Sequence, residues 1–127
     1  MTTPILSLRA ALRTALNTAG LALYDEARDA VMPYASFGEW SVRLWSDGAT
    51  RMADHRFAIH VWSRAPGDAE VLEFAGQIAA AIEVTAPTQP IVHWMVKAHE
   101  IRRPTREGVR TATIRVSALS EMPQGEV

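Results

Sequence analysis

Apolar side chains recur along this chain with two different periods, and each period predicts a different kind of element. In residues 56–64, Phe57, Ile59 and Val61 alternate with other side chains, which places them on one face of a β-strand. Between Val71 and Ile82 the apolar positions follow helical spacing and form one stripe of an amphipathic helix. Residues 65–68 include Pro and Gly and separate the two patterns. The centre of the chain is therefore predicted to be strand, turn and helix.

A second apolar stripe predicts a helix near the N terminus. Its members recur three or four residues apart: Leu8, Leu12, Ala15, Leu16 and Ala19. Thr3 is a candidate helix cap, and Pro4 has the backbone geometry of a first helical turn. Gly20 is the expected end of this helix.

Three more strands are predicted, over residues 34–45, 91–101 and 109–119. Residues 46–53 are longer than a two-residue hairpin turn, so we expect them to form a protruding, mobile loop. Residues 21–33 are expected to be an extended run followed by irregular chain. The proline-containing segment 86–90 is expected to break the chain after the second helix.

The predicted order is helix, strand, strand, helix, strand, strand. Such an order favours the α+β class, with a four-stranded, mainly antiparallel sheet and two helices packed on one face. Apolar and polar side chains alternate along the strands, as is typical of a sheet covered on one side only. We expect one domain over residues 1–122 and a flexible tail over residues 123–127.

Composition narrows the classes of function without choosing one. The chain has 127 residues and a net charge of −1, so it has no overall attraction to nucleic acid or to anionic membranes. It contains no cysteine, which excludes disulfides and thiol catalysis. No apolar stretch approaches the ~18 residues that span a bilayer, and no signal peptide is recognisable. We therefore expect a soluble protein made in a cytoplasm.

A search for catalytic or metal-binding motifs gives little. There is no glycine-rich phosphate loop, Gly-x-Ser-x-Gly elbow or His-Glu-x-x-His pair. His55 and His60 should point to opposite faces of their strand. His93 and His99 should share a face but lie about 20 Å apart at the rise of a strand. We therefore predict no catalytic residue, no cofactor and no metal site.

One acidic group leaves an alternative open. Asp25, Glu26 and Asp29 could hold a hard cation through oxygen ligands, although such a group is more often a solvated patch or a partner of the nearby Arg28.

The residues most suited to protein contacts are tryptophans on the polar side of the sheet and charged residues at its ends. Tryptophan is enriched at interfaces, and arginine can pair with acidic groups of a neighbouring subunit. Glu100 and Glu107 lie among the arginines and reduce their attraction to DNA. The predicted interface residues are Arg102, Arg103, Arg106, Arg110, Asp47, Arg51, Trp45 and Trp62.

The order of several short motifs resembles that of the phage tail-terminator, or tail-completion, family. The similarity begins in the first helix and continues through Leu23-Tyr24-Asp25-Glu26-Ala27 to the strand His60-Val61-Trp62-Ser63-Arg64. It then covers the helix at residues 67–82 and the final strand around Thr113-Ile114-Arg115-Val116. The chain departs from the family pattern at residues 31–35, where members often carry an extra proline and aromatic residue.

The resemblance implies a structural protein without catalytic residues or cofactors. Such proteins form a ring, commonly hexameric, that caps the head-proximal end of the tail tube and docks the head connector. The implied partners are further copies of the chain, the tail-tube protein and the connector, while DNA passes through the lumen without sequence-specific binding. The host would be a phage, a prophage or a gene transfer agent. The protein would then lie in the host cytoplasm during assembly and afterwards in the particle, with no membrane contact.

Two other classes remain open on the sequence. One is a small enzyme that uses Asp25, Glu26 and Asp29 with a histidine. The other is a stand-alone module that binds a peptide or a small ligand. A concave pocket with strongly shifted titratable groups would favour the enzyme, whereas a ring-forming interface would favour the tail protein.

Overall fold

The computed structural model describes residues 4–24, 32–47, 50–88 and 90–122. The candidate cap Thr3 and the predicted tail at residues 123–127 lie outside these ranges. The two helices and five strands follow each other in the order α1 (Pro4–Thr18), β1 (Leu23–Tyr24), β2 (Tyr34–Asp47), β3 (Thr50–Ser63), α2 (Ala69–Val84), β4 (Ile91–Arg102) and β5 (Arg110–Met122).

All five strands belong to one sheet with the order β1-β2-β3-β5-β4. The short β1 runs parallel to β2, and every other pairing is antiparallel. This arrangement confirms the predicted α+β class with a mainly antiparallel sheet. The fifth strand is β1, a two-residue piece of the segment that was expected to be merely extended.

Both helices bury their apolar stripes against the same side of the sheet, which we call the first face. Leu8, Leu12 and Leu16 of α1 and Ile78 and Ile82 of α2 are fully buried. They join one core with alternating residues of the central strands: Phe57, Ile59, Val61, Ala112, Ile114 and Val116. Burial of each large side chain contributes about 1.5–3 kcal/mol, so this layer holds helices and sheet together. The opposite side is called the second face.

The predicted end of α1 is confirmed. Gly20 has a φ of 78°, a left-handed conformation that glycine adopts without a steric penalty. The N–H of Leu21 then donates to the carbonyl of Leu16 at 2.8 Å. This turn directs the chain into β1.

The prediction of a protruding loop at residues 46–53 is wrong. Ser46 pairs with Arg51 and Asp47 pairs with Thr50, so β2 continues to Asp47 and β3 already begins at Thr50. The strands persist through this polar stretch because β3 pairs with β2 on one side and with β5 on the other, as far as Arg51 and Met122. Main-chain pairing on both sides outweighs the weak strand propensity of the side chains.

The expectation that His93 and His99 share a face is also wrong. The register between β4 and β5 shifts between Val96 and Ala98, so a bulge adds one residue to β4. His93 consequently pairs with Leu119 and His99 with Ile114, which lie on opposite faces of β5.

Within the described residues, no helix is long and apolar enough to cross a membrane.

Candidate interaction surfaces

The second face carries a polar network that connects four strands. His60 Nδ1 lies 3.0 Å from Thr113 Oγ1, and His60 Nε2 lies 3.5 Å from a carboxylate oxygen of Glu39. The other oxygen of Glu39 is 3.6 Å from Arg115 Nη1. Arg115 Nε donates to Glu100 at 2.6 Å, and this hydrogen bond raises the pKa of Arg115. The network joins β2, β3, β5 and β4 by charged and polar contacts, in which Thr113 and His60 are mostly buried and the charged members Glu39, Arg115 and Glu100 are exposed.

The backbone of β2 makes room for this network at Gly38. A Cβ atom placed there would lie only 2.3 Å from His60 Nε2, so the imidazole occupies the space that a side chain would fill. The register of β2 against β3 also shifts between Phe37 and Trp40. The bulge and the glycine together let Glu39 reach His60.

His55 lies on the first face and is fully buried. Its Nδ1 accepts a hydrogen bond from Trp40 Nε1 at 3.2 Å, and its Nε2 lies 3.0 Å from Ser120 Oγ. An indole N–H can only donate, so Nδ1 carries no proton and Nε2 donates to Ser120. Burial lowers the pKa of His55, and the charge of Asp54 offsets part of that effect. His55 is therefore a neutral structural histidine.

The histidine geometry agrees with the sequence prediction that His55 and His60 occupy opposite faces. No cluster of three or more potential metal ligands occurs among the described residues. Asp25, Glu26 and Asp29, on which the cation and enzyme hypotheses depended, lie outside the part of the chain that the structure describes.

The two tryptophans predicted at an interface lie on the second face in different environments. Trp62 stacks on Tyr34 with ring centroids 6.2 Å apart, and its Nε1 donates to Ser36 Oγ at 3.2 Å. Trp45 pairs across the strands with Met52 and is 43% exposed. Trp45 is thus available for contact with another protein, whereas Trp62 is mainly engaged within its own sheet.

The four predicted interface arginines surround the connection between β4 and β5, which is held by a hydrogen bond from the N–H of Thr105 to the carbonyl of Val109 at 2.9 Å. Arg102, Arg103 and Arg106 are exposed. Arg110 differs, because its Nη1 donates to Asp68 Oδ1 at 2.7 Å and its side chain is only 23% exposed. The ion pair of Arg110 therefore connects the start of β5 to the start of α2. The other three arginines expose their positive charge to solvent.

The two groups of predicted interface residues lie at opposite ends of the sheet. Ser63 pairs with Arg110 at the end that carries the arginine loop. Arg51 pairs with Met122 at the other end, where the backbone places Asp47 beside Thr50. Arg51 is partly buried there. The molecule consequently presents one group of the predicted contact residues at each end.

Sequence reasoning missed two features of these surfaces. The Glu39, His60, Arg115 and Glu100 network joins residues far apart in the chain, which periodicity cannot bring together. Leu44, on the first face, is 55% exposed. Its alternation with Val42 was visible, but exposure depends on how far the helices extend over the sheet.

Comparison with known proteins assigns this chain to a class of structural virion proteins. The family model described as "Tail completion protein gp17" matches residues 5–121. The chain therefore belongs to the tail completion protein gp17 family, and it is a structural protein rather than an enzyme. The match confirms the resemblance and overturns the enzyme alternative.

One solved structure shares the fold over nearly all of both chains. It is described as "Virion of native gene transfer agent (GTA) particle", and its matching chain has a TM-score of 0.75 and 24% sequence identity. The alignment covers 91% of this chain and 95% of that chain. The comparison with curated proteins gives no match.

Proposed function

We propose that this protein caps the head-proximal end of a tail tube as a closed, hexameric ring and provides the surface on which the head connector docks. The observation that carries the proposal is the match to the tail completion family over residues 5–121. The shared fold with a chain of a gene transfer agent virion supports a place in a phage or phage-like particle.

The exposed arginines at one end of the sheet and the exposed Trp45 at the other support two separate docking ends. Arg102, Arg103 and Arg106 project from one end of the sheet, where they would pair with acidic groups of a neighbouring protein. Trp45, Asp47 and Arg51 lie at the other end and would meet a different neighbour. Arg110 and Trp62 act from within the subunit, because each is held by a partner in its own fold.

The charge balance suits a ring through which DNA passes. Attraction to DNA grows with the number of phosphates that a protein neutralises, and the net charge here is −1. Long-lived binding of DNA to the ring would hinder the passage of DNA through the lumen. The tail-tube protein and the connector are therefore the proposed partners, and DNA is only a transient neighbour.

Self-association is the first test of this proposal. Light scattering of purified protein over a range of concentrations, and electron microscopy of assembled particles, should show a closed ring in solution or at the end of the tube. A ring joins two different patches head to tail. A protein that is monomeric at every concentration and also monomeric in the particle would contradict the proposal.

A further inference from the structure

Exposed apolar side chains concentrate on the two outermost long strands. Eight large hydrophobic residues are exposed in the described part of the chain, and five of them belong to β2 or β4, while β3 and β5 hold none. The five are Leu44, Trp45, Val92, Met95 and Ile101. Such a distribution marks the margins of the sheet as contact regions.

The main chain is also unpaired along these margins. β1 pairs only with Ala35 and Ser36, so the outer edge of β2 has no strand partner beyond Ser36 among the described residues. On the opposite margin, the described part of the chain gives β4 no strand partner other than β5. Such edges offer rows of N–H and C=O groups to another strand, and proteins usually protect them with bulges, lysine, proline or a covering segment.

Residues 41–47 of β2 have little of this protection. Their register against β3 is continuous, and they contain neither proline nor lysine. Leu44 and Trp45 expose apolar surface on the two opposite faces of this segment, at 55% and 43%. β1 and the bulge before Trp40 occupy the other half of the outer edge of β2. A strand that pairs with this edge therefore cannot extend beyond the bulge.

We propose that residues 41–47 of β2 pair with β4 of a second copy of this chain. The inference rests on the proposed ring and names the contact that would build it. Because β2 and β4 lie on opposite margins of the sheet, each copy offers one edge to each of two neighbours, which is the head-to-tail geometry of a ring.

Charge favours this pairing over contacts between identical edges. Two β2 edges would bring Arg43 residues together, and two β4 edges would bring Lys97 residues together, which is unfavourable for strands side by side. β4 also carries Glu100 on the second face, the face to which the register assigns Arg43. A β2–β4 contact therefore places opposite charges on the same side of the joined sheet.

Cysteine cross-linking tests the contact directly, because the native chain has no cysteine. Arg43→Cys would be combined in turn with His93→Cys and Met95→Cys, which the register places on the same second face as Arg43, and oxidised in concentrated protein and in isolated particles. A disulfide needs Cα atoms within about 7 Å. At least one combination should give a ladder of linked copies that extends beyond dimers.

Two controls make the result specific. Arg43→Cys combined with Gln77→Cys, on the exposed side of α2, should give no ladder, and each single-cysteine variant should stay unlinked. Dimers formed by Arg43→Cys alone would show that two β2 edges meet and would overturn the proposal. If rings form and no β2–β4 combination links, the edge contact is wrong while the proposed ring stands. If no association occurs in solution or particles, both fail.

Proline substitution tests the main-chain hydrogen bonds of the same contact. Successive N–H groups of a strand point to opposite edges. Of the two variants Arg43→Pro and Leu44→Pro, one therefore loses an N–H group that donates to β3. The other loses only an N–H group that points to the open edge of the sheet. The variant that keeps the wild-type melting temperature should need about tenfold more protein to associate. Unchanged association in that variant would overturn the proposal.

Discussion

At the scale of single residues, the neutral state of His55 couples the fold to pH. The lowered pKa of His55 arises mainly from burial, so the folded protein takes up its proton at a lower pH than the unfolded chain, whose pKa is near 6.5. At pH values between the pKa of His55 in the folded protein and its pKa in the unfolded chain, the unfolded state binds more protons than the folded state. The free energy of unfolding should therefore fall as the pH drops from about 6.5 through this range.

The matched variant is His55→Gln, because glutamine can accept from Trp40 and donate to Ser120 but does not titrate. Urea unfolding at about pH 7 and pH 5 should show a smaller loss of stability in this variant than in the wild type. His55→Ala, which leaves the Trp40 donor and the Ser120 hydroxyl without their partner, should cost about 1–3 kcal/mol at about pH 7 and less at about pH 5, where the wild type has itself lost part of the contribution of His55. An equal pH dependence in the wild type and His55→Gln would refute the role assigned to His55.

Sequence alone could place His55 and His60 on opposite faces, because they are five positions apart along one strand and an odd separation changes the face. It could not show that His55 is buried or that His60 contacts Glu39. Those facts depend on neighbours that the fold brings together: Trp40 and Ser120 around His55, and the space above Gly38 that admits the ring of His60.

At the scale of elements, Trp94 of β4 completes the end of α2. Its Nε1 donates to the carbonyl oxygens of Ile82 and Thr85, both at 2.9 Å. The last carbonyls of a helix have no partner within the helix, and the last turn of α2 contains no basic residue. One side chain of the sheet therefore satisfies main-chain groups at the helix end.

Trp94→Phe should keep most of the apolar packing and remove this donor. We expect a loss of about 1–3 kcal/mol, with faster amide hydrogen exchange in the last turn of α2. Trp45→Phe is the matched control, because Trp45 is exposed at 43%, and its stability should change by less than about 0.5 kcal/mol. Equal effects in the two variants would show that the helix end does not depend on Trp94.

The elements themselves were predictable where side chains alternate without interruption. The helices and the central strand follow directly from the spacing of Leu8 to Leu16 and of Phe57 to Val61. Prediction failed where the backbone decides: residues 46–53 continue as strands because β3 has partners on both sides, and the bulge near Lys97 reverses the face of His99. Neither pairing nor a bulge has a periodic signature in one sequence.

At the scale of the whole molecule, the family could be recognised because several weak motifs occur in the right order. No single segment, including His60-Val61-Trp62-Ser63-Arg64, identifies a tail completion protein. The contact surfaces were harder to predict, since the chain shows which residues are charged or aromatic but not which margins of the sheet remain open. Arg110 illustrates the limit, because only the fold reveals its ion pair with Asp68.

The arginine loop gives the prediction that concerns the whole particle. Arg102 and Arg106 are exposed, and no ion pair holds either of them among the described residues. Reversing both charges, as Arg102→Glu with Arg106→Glu, should change the free energy of unfolding by no more than an ordinary surface substitution does, about 0.5 kcal/mol. If these residues bind acidic groups of a neighbouring protein, the variant should yield tails that fail to join heads, visible by electron microscopy.

Two controls separate charge from other effects of substitution in this experiment. Arg102→Lys with Arg106→Lys keeps the positive charge and should restore much of the joining, with any remaining defect reporting the planar guanidinium contact. Arg56→Glu reverses an exposed charge on the second face, away from the loop, and should leave joining intact. The role of the loop would be disproved by joined, infective or transducing particles at the wild-type level in the charge-reversed variant. A comparable defect in Arg56→Glu would instead point to the net charge of the subunit, because joining would then respond to charge wherever it lies.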